Sequence, residues 1–184
     1  MRIATENPAV HLRDWAESDY DSMVRHGNNR LVWRNLKDSF PHPYTHADAV
    51  WWVQHVATLS EDVHLAVDLA GEAIGGIGYG GKQGNYVRTA HFGYWLGQAH
   101  WGQGIATAAA RALKAHAFAT SRFVRLEAPV YEWNPASMRV LEKAGFVREG
   151  VLRKSCLKDG QLIDQVMYAA ISPAGVSSLP GGAR

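Results

Sequence analysis

Tyr94-Trp95-Leu96-Gly97-Gln98-Ala99-His100-Trp101-Gly102-Gln103-Gly104-Ile105-Ala106-Thr107-Ala108 is the stretch whose reading decides the fold. An aromatic, extended run stops, two glycines two apart allow a tight turn, and a series of good helix formers follows at once. Such a turn exposes a helix N-terminus, where the first amides lack internal partners and the aligned peptide dipoles leave about half a positive charge. A phosphate or pyrophosphate suits that position. A purely structural turn would also use two glycines. Spacing excludes two phosphate loops: no Gly-Lys-Ser/Thr ending is present, and Gly102-Gln103-Gly104 lacks the third glycine of a dinucleotide fingerprint.

Outward from this turn, periodicity orders the rest. Arg88 to Leu96 reads as the strand entering it, and about Gln103 to Thr120 as the helix leaving it. Strand Phe123 to Tyr131 follows. Asn134-Pro135 then starts a helix, with Asn capping and Pro at the first helical position, and Gly145 stops it. Phe146 to Leu157 and Gln161 to Ile171 form a hairpin across Asp159-Gly160.

Towards the N-terminus, Val10 to Trp15 reads as a strand, Asp19 to Gly27 as a helix and Asn29 to Leu36 as another short helix. Two prolines make Phe40 to Tyr44 a loop. Thr45, with Asp48 three residues on, caps a helix ending near Ser60. His64 to Leu69 and Ala73 to Tyr79 are strands around Gly71-Glu72. Seven strands result, in a mixed α/β sheet with helices on both faces. Residues 1–171 form one domain, and the Gly, Pro and Ser of 172–184 mark a mobile tail.

Composition narrows the function classes. The chain has 184 residues, with 19 Lys plus Arg against 17 Asp plus Glu, scattered along its length. That balance gives no stripe for nucleic acid. Apolar stretches are short and broken by charge, and Met1 to Glu6 has no apolar signal core, so a cytoplasmic protein without a membrane segment is expected. The single Cys156 cannot form an internal disulfide and reads as an ordinary strand residue rather than an acyl-carrying nucleophile.

Taken together, Tyr94-Trp95-Leu96, Trp101-Gly102-Gln103-Gly104-Ile105-Ala106, Asn134-x-x-Ser137, Glu142-Lys143-x-Gly145-Phe146 and Arg148-Glu149-Gly150 resemble the GNAT superfamily of acyl-CoA-dependent N-acetyltransferases. Within it they are most similar to the Rim-type branch, which acetylates ribosomal-protein N-termini. The likeness is close from about Ala90 to Tyr168 and loose from Val10.

It implies a mostly antiparallel sheet in which two central strands splay apart and acetyl-CoA, the co-substrate, enters the gap. No metal is implied. The backbone of Gly102, Gln103, Gly104, Ile105, Ala106 and Thr107 would hold the pyrophosphate, and the backbone at Trp95 and Leu96 would pair with the pantetheine arm. Trp101 stands where most of the superfamily has Gln or Arg. Asn134 is a coenzyme-contacting position in relatives, although a helix cap accounts for it equally.

Many relatives carry a tyrosine seven residues after this Asn as proton donor to the thiolate. Here that residue is Leu141, so that route is closed, and the Rim-type pattern puts Ser137 in its place. A first-turn hydroxyl bonding the backbone is the plain alternative. For the base, His91 falls where relatives often have Glu, sharing a strand face with Gly93 and Trp95; Glu127 on the facing strand is its rival, a water relay is the third route, and an ordinary strand polar group is the plain alternative for each.

The acceptor is an amine, either a protein N-terminus or a small molecule. Trp15, Trp33, Phe40, Tyr44, Trp51 and Trp52 make the N-terminal half aromatic; most of these rings read as core, and the Phe40 to Tyr44 loop is the candidate for one wall of the acceptor site. Arg30 and Arg34 either read an acidic substrate or form a solvated helix face. Direct transfer in a ternary complex is expected, a non-catalytic acyl-CoA sensor is the alternative from another class, and a homodimer is open.

Overall fold

The computed structural model describes residues 1–173. Its order is β1 (Arg2–Ala4), β2 (Val10–Arg13), α1 (Tyr20–Gly27), α2 (Arg30–Trp33), α3 (His46–Val56), β3 (Val63–Leu69), β4 (Glu72–Gly81), β5 (Thr89–Leu96), α4 (Ile105–Thr120), β6 (Arg125–Tyr131), α5 (Pro135–Lys143), β7 (Val147–Lys158) and β8 (Gln161–Ile171). The strands form one sheet in the order β1-β2-β3-β4-β5-β6-β8-β7. Every neighbouring pair is antiparallel except β5 and β6.

Eight strands stand where seven were expected. The extra one, β1, pairs Arg2, Ile3 and Ala4 with Arg13, Leu12 and His11, and three residues are too few to show an alternation. β2 stops at Arg13 rather than Trp15 because the Asp19 carboxylate pulls the chain around. Arg13 donates to both oxygens of Asp19, at 2.7 and 2.8 Å, and the Ala16 amide donates to it as well, at 2.9 Å. Arg13 Nε also reaches Asp68 on β3, so the buried Asp19 and Asp68 are both compensated. α3 ends at Val56, earlier than expected, where the Thr58 hydroxyl donates to the His55 carbonyl. The proposed tail lies outside the described residues from 174 onward.

Helices cover both faces. On one, α4 buries Ile105, Ala109, Leu113 and Ala117, a stripe at four-residue spacing, against Val10, Leu12, Leu65, Val67, Ile74 and Ile77. Each large aliphatic side chain so buried stabilises by about 1.5–3 kcal/mol. On the other face Met23 of α1, Ala49 of α3 and Tyr44 form a second cluster with Trp15, Phe40 and Trp52. That second face needs room, and β4 supplies it. A Cβ on Gly76 would lie 2.7 Å from Trp95 Nε1 and 3.0 Å from Trp15, and one on Gly78 would lie 2.5 Å from His64 Nδ1. The alternate glycines of β4 are therefore a packing surface for rings, not a flexible run.

Candidate active site

The parallel pair β5 and β6 is joined only at Thr89↔Arg125, Ala90↔Leu126 and His91↔Glu127. Beyond those, β5 stays with β4 as far as Leu96, and β6 stays with β8 as far as Tyr131. The two strands diverge, and the sheet opens. Pro129 lies in the part of β6 that has one ladder partner, where a residue without an N–H is tolerated. A cavity of about 970 Å³ runs through this opening and is lined on both sides of the sheet.

At one end of the cavity is the Gly-rich turn. Gly102 and Gly104 have φ of 75° and 78°, left-handed values that glycine adopts at no steric cost, and Gly104 is the N-cap of α4. Among the described residues, no atom beyond the immediate chain neighbours lies within 4 Å of where a Cβ would project at either glycine. The first turn of α4 carries no acidic residue, so its free amides and dipole meet the cavity unopposed. Gly102, Gly104, Ile105, Ala106 and Thr107 all line it, with His100 beside them and Arg139 and Lys143 facing from α5. Trp101 has a structural use: its indole N–H donates to the Leu96 carbonyl at 2.7 Å and ties the turn to the end of β5. Gln103 reaches back to the Ala99 carbonyl at 3.0 Å.

From α5, Asn134 and Ser137 enter the same half. The Asn134 side chain accepts from the Ser137 amide at 3.1 Å, which makes it the cap of that helix, worth about 1 kcal/mol. Ser137 Oγ lies 2.8 Å from the hydroxyl of Tyr94, which reaches across the gap from β5. Leu141 is fully buried in the core.

At the other end the cavity is lined by Trp15, Phe40, Tyr44, Trp51, Trp52, Lys37, Asp48, Asp62, His64 and His91. His91 is exposed, with the open space of Gly93 two residues along its strand. Partial burial and the charges of Lys37 and Lys82 push its pKa below the usual histidine value, against the opposing pull of Glu127. Glu127 is held differently. Burial would raise its pKa, but hydrogen bonds from Lys82 and Arg125 outweigh that and keep it below the usual carboxylate range. One of its oxygens pairs with Lys82, the other accepts from Arg125 Nε at 2.8 Å.

The comparisons with known proteins agree with this geometry. Residues 9–147 match the acetyltransferase (GNAT) domain family. This chain belongs to the GNAT family.

A probable N-acetyltransferase of Bacillus subtilis, YjcK, is 44% identical over 87 residues, covering 47% of this chain and 48% of the relative. The ribosomal-protein-serine acetyltransferase of Escherichia coli is 34% identical over 84 residues, covering 46% of this chain and 47% of the relative. The chain thus matches about half the length of these curated relatives. In three dimensions, Mycobacterium smegmatis RimJ in complex with a CoA-disulfide superposes with a TM-score of 0.80 at 24% identity, covering 97% of this chain and 88% of that one.

The GNAT fold brings together the residues singled out from the sequence, but on two sides. Trp95, Leu96, Trp101, Gly102, Gly104, Ile105, Ala106, Thr107, Asn134 and Ser137 line the cavity with His91, whereas Gln103 and Glu127 do not. Glu127 nonetheless sits directly opposite His91 in the ladder. Arg30 and Arg34 are away from the cavity: Arg30 pairs with Asp159, and the Arg34 guanidinium lies over the Trp133 ring at 4.8 Å. Trp33 is likewise removed, its ring 3.6 Å from the Lys158 ammonium. A tyrosine is present after all, since Tyr94 comes from a different element than the helix position occupied by Leu141. Its signal was available: Tyr94 alternates with His91 and Gly93, so it faces the opposite side of the sheet, towards α5. His64 and Asp62 were missed because only the pairing of β3 beside the β4 glycines, His64 opposite Gly78, places them at the cavity.

Proposed function

We propose that this chain transfers the acetyl group of acetyl-CoA to a primary amine by direct attack in a ternary complex. The observation that carries this is the single cavity threading the splayed strands, with anion-binding amides at one end and His91 at the other. A thioester held from the α4 side and an amine entering from the aromatic side would meet in the gap, and that proximity supplies much of the rate. Acetyl-CoA suits the residues present, because the open amides at Gly104 to Thr107 and the cations Arg139 and Lys143 complement its phosphates.

His91 serves as base in this reading. Its lowered pKa keeps it neutral near pH 7, able to take a proton from an α-amine of ordinary pKa about 8. Glu127, with both oxygens engaged by cations, holds Lys82 and Arg125 and so shapes the field around His91. A protein N-terminus is the acceptor we favour, supported by the E. coli relative named for acetylating a ribosomal-protein serine. Thiol release from acetyl-CoA, followed with a panel of N-terminal peptides and small amines, tests this. Turnover with peptides is expected. Preference for a polyamine or free amino acid would redirect the acceptor assignment, and silence across the panel with retained acetyl-CoA binding would make the protein a sensor.

A further inference from the structure

The phenol of Tyr94 has one hydrogen and two acceptors in reach. The Ser137 carbonyl lies at 3.1 Å and Ser137 Oγ at 2.8 Å. Two arrangements keep the two hydroxyls hydrogen-bonded to each other. In the first, Tyr94 donates to the carbonyl and Ser137 donates to the Tyr94 oxygen, so the serine hydrogen is occupied. In the second, Tyr94 donates to Ser137 Oγ, and the serine hydrogen is released to point into the cavity. Rotation about two C–O bonds interconverts them without moving a heavier atom.

We infer that Tyr94 is a positioning residue for departure of the coenzyme thiolate, its hydroxyl turning the Ser137 hydrogen towards the sulfur as negative charge develops there. This rests on the acetyl-transfer reading. The C–S bond breaks with its electron pair going to sulfur. Of the two protons that the ammonium form of the amine sheds, one leaves through the base and the other is available to the sulfur or to solvent. Ser137 and Tyr94 end with the hydrogens they began with. The proton itself is not assigned to Tyr94, since burial pushes its hydroxyl up to about 12 and so makes it a weaker acid than an ordinary tyrosine. What the pair contributes is a polarised donor chain, in which one hydrogen bond strengthens the next.

The test needs no acceptor. Coenzyme A carrying carbon-13 beside its sulfur is bound to the full chain, and the thiol is titrated by NMR. The other charged and titratable groups lining the cavity are Arg139 and Lys143 on α5, His100 in the turn, Lys37, Asp48, Asp62, His64 and His91 at the aromatic end, and the phenols of Tyr44, Tyr79 and Tyr131. They are common to every variant, so differences isolate the hydroxyl pair. The bound thiol is expected about one unit or more below its ordinary value, as for any charged form that gains a hydrogen bond.

Tyr94→Phe should raise it towards the ordinary value, Ser137→Ala should do the same, and the double variant should go no further than Ser137→Ala. A ring-fluorinated tyrosine at position 94, a stronger donor with the same shape, should lower it further, which covers the case of a poorly folding phenylalanine variant. With an N-terminal-serine peptide as acceptor, Tyr94→Phe should cut kcat about tenfold and leave KM for acetyl-CoA unchanged, the pattern of an interaction made mainly in the transition state. An ordinary thiol value in the unaltered protein, or one indifferent to residue 94, overturns the inference. Failure of every acceptor with a lowered thiol value would instead remove the proposed function and leave the hydroxyl pair standing.

Discussion

The two ends of the cavity are built in opposite ways. The α4 end comes from two contiguous pieces of chain, 94–108 and 134–143, and the polar groups it offers are mostly backbone amides whose direction is set by two positive-φ glycines at the start of a helix. The aromatic end draws on Trp15, Lys37, Phe40, Trp52, Asp62, His64, Gly76, Gly78 and His91, scattered between positions 15 and 91 and joined only by folding. Its wall at Asn35 to Phe40 is held from afar. The Tyr131 hydroxyl donates to the Leu36 carbonyl, the Trp133 indole donates to Asn35, and the buried Lys158 donates to Asp38 at 2.5 Å beside the Trp33 ring. An end made of local backbone tolerates side-chain change but not a Cβ at a positive φ. An end made of distant side chains should respond in the reverse manner.

The largest effect should come from Gly104→Glu. A carboxylate on a residue at φ 78° strains the cap and places negative charge before the helix amides. Acetyl-CoA at about a hundred times its Kd should stabilise the unaltered protein by roughly 2.7 kcal/mol in a thermal melt, and this variant should lose that gain. A full gain in a folded variant would break the assignment of the α4 end.

Next in size is His91→Ala, expected to slow kcat/KM by about a hundredfold, the usual worth of a positioned base. The pH profile carries the sign. With its pKa lowered, His91 is the free base over most of the range, so kcat/KM should rise with pH through an apparent pKa below the ordinary histidine value of about 6.5, with a separate limb from the acceptor amine near its own pKa of about 8. The alanine variant should lack the histidine limb. Glu127→Gln should only displace it. A collapse with Glu127→Gln and indifference to His91→Ala would move the base to the carboxylate.

Gly78→Ala sharpens the comparison from the other end. Its Cβ would stand 2.5 Å from both His64 Nδ1 and the Val63 carbonyl oxygen, so the protein should lose about 1–3 kcal/mol in chemical denaturation, the usual cost of overpacking. KM for the acceptor should rise while the acetyl-CoA melt shift persists. Equal loss at both ends would mean that the two are not independent.

Asp38→Ala comes next. Asp38 itself is 70% exposed, but its partner Lys158 is 1% exposed, and losing the carboxylate leaves that buried ammonium against the Trp33 ring alone, so about 1–3 kcal/mol is at stake. The measurable consequence is a weakened acceptor KM. Cys156→Ala should change turnover least, since it lies in β7 outside the cavity lining. Mass-spectrometric capture of an acetyl group on Cys156, with loss of activity in the variant, would refute direct transfer.

What could be read without coordinates follows the same division. Thr45 with Asp48, Asn134 with Pro135, and Gly102 with Gly104 signal their conformations through the immediate chain, and the structure has each cap and each positive φ at those residues. The alternation of β5 was also legible, and it places Tyr94 and His91 on opposite faces. The distance between Tyr94 and Ser137 was not, because it depends on how far β5 and β6 diverge after His91. The pairing of Glu127 with Lys82 and Arg125, which separates the two candidate bases, likewise spans residues 45 apart in one case and joins neighbours on one strand face in the other. The sequence by itself determined the helix N-caps, the strand faces and the glycine turn before α4, since these depend on dihedral preference and hydrogen bonds within a few residues. Only the tertiary structure decided which titratable groups are compensated, which hydroxyls meet and what walls the acceptor, because burial and Coulomb interaction depend on distances through space that chain separation does not encode.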